Sequence, residues 1–268
     1  MRELLTNVRA PKVARARRLL KRNFRKDDRA FLAEGPQAAR EAAKSGNVRT
    51  LFITPSAAER YPDVVQHVES SGGEIIECTD TVIAEIASTV TPQGMVAVVA
   101  STPAVLEDVI NSDTTLAVLM AYVRDPGNAG AAIRVSDAVG ATGVILSTDS
   151  VDAHNPKVVR SSAGSNFHIP VVEEVTVMAA VARARECGLQ ILVGDGSGTP
   201  LTSALNLSAP TLWIFGNEAW GVPQEVLDLA DQVVSLPIYG QAESLNLATA
   251  TAVCLYASAN AQHAADSQ

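Results

Sequence analysis

Three short polar stretches in the second half of this 268-residue chain carry residue types that could do chemistry together. RDPGNAGAAIR holds Asn128, Gly130 and Arg134; FGNEAWGVP holds Gly216, Asn217, Glu218 and Gly221; LPIYGQAESLNLATA holds Ser244, Leu245 and Asn246. Amides bind and orient through paired donors and acceptors, and a guanidinium keeps its charge at any ordinary pH. Such a set suits holding a polar or anionic substrate. Each residue also has a plain local reading. Asn128 could cap a helix, Arg134 could sit on a solvated face, and Gly216 and Gly221 could turn the chain. Ser244 and Asn246 are good helix-start residues. No GxSxG elbow, Walker loop or HExxH pair occurs. GDGSG at 194–198 is not GxGxxG and leads into no strong helix start, so it is not expected to bind a nucleotide.

The elements that must position these stretches alternate. TLAVLMAYV has the length of a buried strand, NAGAAIRVSDAVG reads as a helix, TGVILST as a strand and VTVMAAVARARECG as a helix. LQILVGD, APTLWIFG and QVVSLPI are further strands; PQEVLDLA and LNLATATAVCLYASANA are helical. Apolar strands between helices imply a parallel sheet covered on both faces, with ligands beyond the carboxyl ends of its strands. The three polar stretches leave strand ends there. An earlier α/β unit precedes this one. After FLAEGPQAAREAAKSG, an Ala-rich helix closed by Gly46, come the strand VRTLFIT and the helix AAERYPDVVQHVESSG. The strand GEIIECT, the helix TVIAEIAST and the strand GMVAVVAS follow. The expected organisation is a basic arm over 1–30, a small α/β domain over 31–101, a linker over 102–113 and a second α/β domain over 114–268.

Charge is distributed unevenly. Residues 1–30 hold eleven Lys and Arg against three acids, a local +8 in a chain of net −8, so the remainder carries −16. A basic segment on an acidic body points to a polyanion partner. Arg15, Arg18, Arg22 and Arg25 recur at helical spacing and would share one helix face, with Leu19 and Leu20 anchoring the other; a solvated arm is the competing reading. Either form permits phosphate contacts. Aromatic residues make up 4%, so an aromatic stacking platform for single-stranded RNA is not expected. Cys78, Cys187 and Cys254 are scattered and odd in number, and His67, His154, His168 and His263 are equally dispersed, so neither disulfides nor a metal site is expected. No apolar run reaches membrane-spanning length and the N-terminus lacks a secretory core, which makes a cytoplasmic protein the expectation.

In order and spacing, the three stretches resemble the SpoU/TrmH family of the SPOUT methyltransferases. Asn128, Gly130 and Arg134 match its Asn-x-Gly…Arg motif; Gly216, Asn217, Glu218 and Gly221 match Gly-Asn-Glu-x-x-Gly; Ser244, Leu245 and Asn246 match Ser-Leu-Asn before an Ala-rich helix. NPKVVRSSAGSNFHIPV, which contains Arg160, resembles the family's link between its first two motifs. Residues 31–100 resemble the substrate-binding domain that often precedes the methyltransferase domain, with FLAEGPQAAREA at its start and TPQGMVAVV at its end. Ala129, Val135 and Ala219 occupy positions that vary beside the motif residues.

The resemblance implies an α/β parallel-sheet SPOUT domain with a deep trefoil knot, preceded by a small α/β module of the ribosomal-protein (L30e-like) kind. It implies S-adenosylmethionine as cofactor, no metal, and transfer of its methyl to a ribose 2′-hydroxyl of RNA. Ribosomal RNA is the expected substrate, with transfer RNA as the alternative. An RNA-binding relative that has lost catalysis is a further alternative, against which the intact motif residues stand. Gly216, Asn217, Glu218, Gly221, Leu236, Ile238, Ser244 and Leu245 would form or shape the cofactor pocket. Arg134, Asn128, Glu218 and Asn246 would be catalytic, and Arg15, Arg18, Arg22, Arg25, Arg134 and Arg160 would contact RNA. The family assigns the base role to the arginine matched by Arg134. A guanidinium is almost always protonated, so positioning phosphate and ribose and stabilising charge is the better physical role. Members are homodimers whose active site forms across the subunit interface.

Overall fold

The structure is a computed structural model that describes residues 3–202, 205–217 and 219–266. The chain divides into two compact units, each with its own core.

The first unit comprises residues up to Pro103 together with His154–Phe167. Its elements run α1 (Pro11–Arg18), α2 (Arg22–Asp28), β1 (Ala30–Glu34), α3 (Gly35–Lys44), β2 (Val48–Ile53), α4 (Pro55–Arg60), α5 (Pro62–Ser70), β3 (Glu74–Glu77), α6 (Asp80–Ile86) and β4 (Met95–Ala100). The sheet order is β1-β4-β2-β3, with β4 antiparallel to both neighbours and β2 parallel to β3. Every residue of β1 is buried, a strand the sequence pattern hid because it follows directly on the basic segment. The helix expected over AAERYPDVVQHVESSG is two, divided at Tyr61 because Pro62 cannot donate within a helix and starts a new one. Ala38, Ala39, Ala42 and Ala43 of α3 form the buried stripe that lies on this sheet.

The second unit takes Ala104–Ala153 and the described residues from His168 onward. After α7 (Leu106–Val109) come β5 (Leu116–Met120), α8 (Pro126–Ala138), β6 (Val144–Ser147), the excursion into the first unit with α9 (Pro156–Ser161), and β7 (Val171–Val175). Then follow α10 (Val177–Glu186), β8 (Gln190–Pro200), β9 (Thr211–Phe215), α11 (Gln224–Leu227), β10 (Gln232–Ser235) and α12 (Leu247–Asp266). Six strands in the order β10-β8-β9-β5-β6-β7 pair in parallel throughout. The central strands β5 and β9 are buried along their whole length, as a parallel sheet with both faces covered requires. The Trp213 indole is fully buried, stacks on Phe215, and donates to Ser258 Oγ of α12 at 2.9 Å, which satisfies its polar atom. Among the described residues no helix is long and apolar enough to cross a membrane.

The boundary expected from sequence placed 154–167 in the second domain; the chain contacts place it in the first. Val159 of α9 joins the core formed by α3 and the four-stranded sheet. Sequence order carries no sign of such a return.

Candidate functional site

The six-stranded sheet brings the three polar stretches to one edge. Loops at the carboxyl ends of four adjacent strands, β10, β8, β9 and β5, enclose a cavity of about 500 Å³. This is where an open parallel sheet presents a ligand site.

The β9 loop is the most constrained. Asn217 and Gly221 exchange backbone hydrogen bonds of 2.9 Å in each direction, closing a small hairpin. Gly221 adopts φ +71°, a left-handed conformation that favours glycine. A Cβ on Gly216 would lie 2.3 Å from the Gly221 carbonyl oxygen, so only glycine lets the two backbones meet. The buried Asn217 side chain donates to Tyr122 O at 2.7 Å and accepts from Ala219 N at 2.8 Å. It thereby ties the β9 loop to the β5 loop. Tyr122 itself sits at φ +58°, with its N–H bonded to Ser147 Oγ. That left-handed backbone is held by bonds on both sides.

The first and third stretches meet through two amides that are far apart in sequence. Asn246 Nδ2 donates to Asn128 Oδ1 at 2.9 Å, while Asn246 Oδ1 accepts from Ala248 N at 3.0 Å at the start of α12. Asn246 is thus both a helix cap and a link. Asn128 is not the cap of α8: Asp125 is, its carboxylate accepting from Asn128 N at 2.8 Å with Pro126 in the first turn. Asn128 is the third residue of the helix, and its side chain reaches Asn246.

Leu236, Ile238, Ser244 and Leu245 line the same cavity from the β10 loop. Gly194, Asp195 and Gly196 line it from β8, which the sequence reading had set aside. The cause is a register shift: Val233 pairs with Val193 but Val234 pairs with Thr199, so 194–198 have no partner on β10, while Gly194 still pairs with Phe215 of β9. Asp195 Oδ1 then accepts from the N–H and hydroxyl of Ser197. The run of small residues was the available signal, but it marks a break in strand pairing rather than a phosphate loop. Cys254 of α12 also reaches the wall; burial pushes its thiol up to about 12, as it does that of Cys78 in the first unit. Cys187 is half-buried.

Comparison with known proteins agrees with this architecture. The model of the SpoU rRNA Methylase family matches residues 115–256, and that of an MRM3-like substrate binding domain matches residues 10–97. The chain belongs to the SpoU rRNA Methylase family. It is 30% identical to an uncharacterized tRNA/rRNA methyltransferase of Synechocystis, over 97% of this chain and 95% of the relative. It is 33% identical to the 23S rRNA (guanosine(2553)-2′-O)-methyltransferase of Bacillus subtilis, over 84% and 87% of the two chains. Among solved structures, the SpoU methyltransferase AviRb from Streptomyces viridochromogenes in complex with AdoMet superimposes with a TM-score of 0.84 at 31% identity, covering 94% of this chain and 98% of that one. The AdoMet-bound rRNA methyltransferase from Sinorhizobium meliloti gives 0.83 at 30% identity, covering 96% and 97%.

The remaining family-motif residues are placed less simply. Glu218 lies outside the described residues. Arg134 lies on α8 two turns beyond Asn128, exposed, outside the cavity wall, with no hydrogen bond or ion pair to a described residue. Arg160 belongs to the first unit, where its Nη1 donates to Ser88 Oγ at 2.8 Å.

The single arginine face expected at the N-terminus does not form. The chain turns between α1 and α2, which separates Arg15 and Arg18 from Arg22 and Arg25. Arg25 is 6% exposed and donates to Leu19 O at 2.8 Å. Arg18 forks onto the Asp28 carboxylate and lies over the Phe24 ring. This pair holds the Asp28 carboxyl below its usual range. Arg15 and Arg22 remain exposed. Arg15 lines a groove with Lys12 and Arg49. Helical spacing does place Arg15 and Arg18 on α1, but packing takes two of the four guanidinia, those of Arg18 and Arg25.

Proposed function

We propose that this chain transfers a methyl group from S-adenosylmethionine to a ribose 2′-hydroxyl of RNA, with 23S-type ribosomal RNA as substrate. The observation that carries the reading is the cavity wall in which Gly216, Asn217, Gly221, Ser244, Leu245 and Asn246 meet. The wall suits the cofactor's two chemistries. Val222, Leu236, Ile238 and Leu245 offer apolar surface for an adenine ring. The close approach of backbones at Gly216 and Gly221 leaves main-chain groups, rather than side chains, to meet polar atoms. When bound, S-adenosylmethionine supplies an electrophilic methyl group on a charged sulfur.

The chain's own residues position the acceptor. Asn128 and Asn246, bonded to each other, fix the first loop against the third and orient the ribose. Arg134 holds the RNA phosphate and ribose, and stabilises negative charge as the 2′-oxygen gives its proton to the neighbouring RNA phosphate or to water. Asn217 fixes the β9 loop to Tyr122, and Ser244 lines the cavity from the third stretch.

Arg134 stands away from the cavity of its own chain, which favours a homodimer in which a site is shared between protomers. Val253 and Tyr256, exposed on α12, offer apolar surface for that contact. The loops around the cavity would thread as a deep trefoil knot, and the protein would work in the cytoplasm. In the first unit, exposed Arg15, Arg22 and Arg160 would hold RNA phosphates. A test is Arg134→Ala with radiolabelled cofactor: methyl transfer to RNA is lost while calorimetric binding of S-adenosylmethionine changes little. Full transfer in that variant would remove Arg134 from the mechanism. Absence of cofactor binding by the natural protein would sink the reading as a whole and favour a non-catalytic RNA-binding relative.

A further inference from the structure

The chain has two tryptophans, and they are used in opposite ways. Trp213 is fully buried in the sheet with its indole N–H bonded. Trp220 is 54% exposed, and its indole N–H has no partner among the described residues. It stands within the tight hairpin whose closing residues, Asn217 and Gly221, both line the cavity. Trp220 itself does not line it, but its backbone is one peptide unit (~3.8 Å between Cα atoms) from Gly221, which does. An exposed indole loses the burial that makes tryptophan useful to a fold, and a site adjoining a ligand cavity gives it another use.

The second observation is what covers it. The Arg124 guanidinium carbon lies 5.1 Å from the centroid of the Trp220 ring, within cation–π distance. Arg124 is exposed and makes no hydrogen bond or ion pair to a described residue. It immediately precedes Asp125, the cap of α8, in the loop that accepts the Asn217 side chain through Tyr122 O. The same two loops are therefore joined twice, by a hydrogen bond and by an arginine–indole pair. A flat aromatic surface and a guanidinium, side by side on two loops whose neighbouring residues line the cavity, match the two parts of a nucleotide: a base that stacks and a phosphate that carries charge.

We infer that Trp220 and Arg124 form a docking clamp for an unpaired nucleotide of the RNA substrate, the base stacking on the indole and the phosphate held by the guanidinium. This rests on reading the cavity as the cofactor pocket. It modifies the expectation drawn from low aromatic content: one well-placed ring, not a platform, meets the RNA. Because every base has a stackable face, the clamp adds affinity and orientation and leaves recognition of sequence to other contacts.

The experiment uses full-length protein and a fragment of 23S rRNA. Intrinsic fluorescence is the first readout, since Trp220 is the exposed tryptophan and Trp213 is buried. RNA should quench the natural protein, and Trp220→Phe should abolish most of that quenching while retaining binding. Steady-state methyl transfer is the second: Trp220→Ala should raise the KM for RNA roughly tenfold, Trp220→Phe should restore most of it, and Arg124→Ala should raise it with a shallower salt dependence. Cofactor affinity by calorimetry and dimer mass by light scattering should stay unchanged in all three variants. The inference is overturned if RNA KM stays within twofold in Trp220→Ala, or if that variant instead loses cofactor affinity or dissociates. Quenching without methyl transfer in the natural protein would uphold the clamp and sink the proposed reaction; transfer without quenching would do the reverse.

Discussion

The two units handle polar side chains in different ways. In the second, Asn128 and Asn246 stand 118 positions apart and hydrogen-bond to each other. In the first, Arg15, Arg18, Arg22 and Arg25 fall within eleven residues at helical spacing, and the fold disperses them. The difference lies in what does the positioning. A parallel sheet delivers the carboxyl ends of its strands to one edge, so the order of polar stretches along the chain survives as proximity. Helical spacing only offers neighbours a common face, and a turn between α1 and α2 or a buried carbonyl is enough to take a charge away. Motif order therefore carried over into proximity, whereas local spacing did not carry over into a shared arginine face.

Substituting Gly216 tests the sheet-edge half of this comparison and has the largest expected effect. In Gly216→Ala the new Cβ would meet Gly221 O at 2.3 Å and Val222 Cγ2 at 2.6 Å, so the hairpin must open. The expected cost is about 1–3 kcal/mol of stability in urea denaturation, with S-adenosylmethionine binding lost to calorimetry. Retained affinity would mean that backbone approach there is not what shapes the pocket.

The helical half is tested by a pair of arginines. Arg25→Ala leaves Leu19 O without its buried donor and should cost about 1–3 kcal/mol of stability. Arg15→Ala should change stability by less than about 0.5 kcal/mol but lower the slope of log affinity against log salt for RNA by about one. Equal behaviour of the two variants would erase the distinction between structural and solvent-facing cations.

What was legible follows the same line. The doubly covered sheet could be read because β5 and β9 are continuous apolar runs. The edge strand β7, VVEEV, was missed because two acidic residues interrupt the apolar pattern on a half-exposed edge. The return of 154–167 to the first unit depends on long-range packing of Val159, which no local signal encodes. At the cavity, the meeting of the second and third stretches on one wall was legible from their order, through Gly216, Asn217, Gly221, Ser244, Leu245 and Asn246. Gly194, Asp195 and Gly196 were not, because their role comes from a register shift between β8 and β10. Family likeness supplied the reaction; residue types by themselves would have stopped at a polar ligand site.

The smallest expected effect concerns acid stability. Arg18 holds the folded Asp28 carboxyl below its ordinary value, so the pair contributes stability that is present above the unfolded carboxylate pKa. That contribution is lost as pH falls through the depressed folded value. Asp28→Asn should therefore flatten the acid limb of the stability profile slightly and leave the neutral region the flatter part of both curves. A flattened limb above pH 5 instead would assign the effect to another group.

The central claim is ribose methylation of ribosomal RNA, and the direct measurement is a map of 2′-O-methyl groups in the rRNA and tRNA of a deletion strain. The account predicts that one 23S-type rRNA ribose loses its methyl, regained with the natural gene and not with Arg134→Ala. A complete set of rRNA methyls, with or without a missing tRNA methyl, would contradict it.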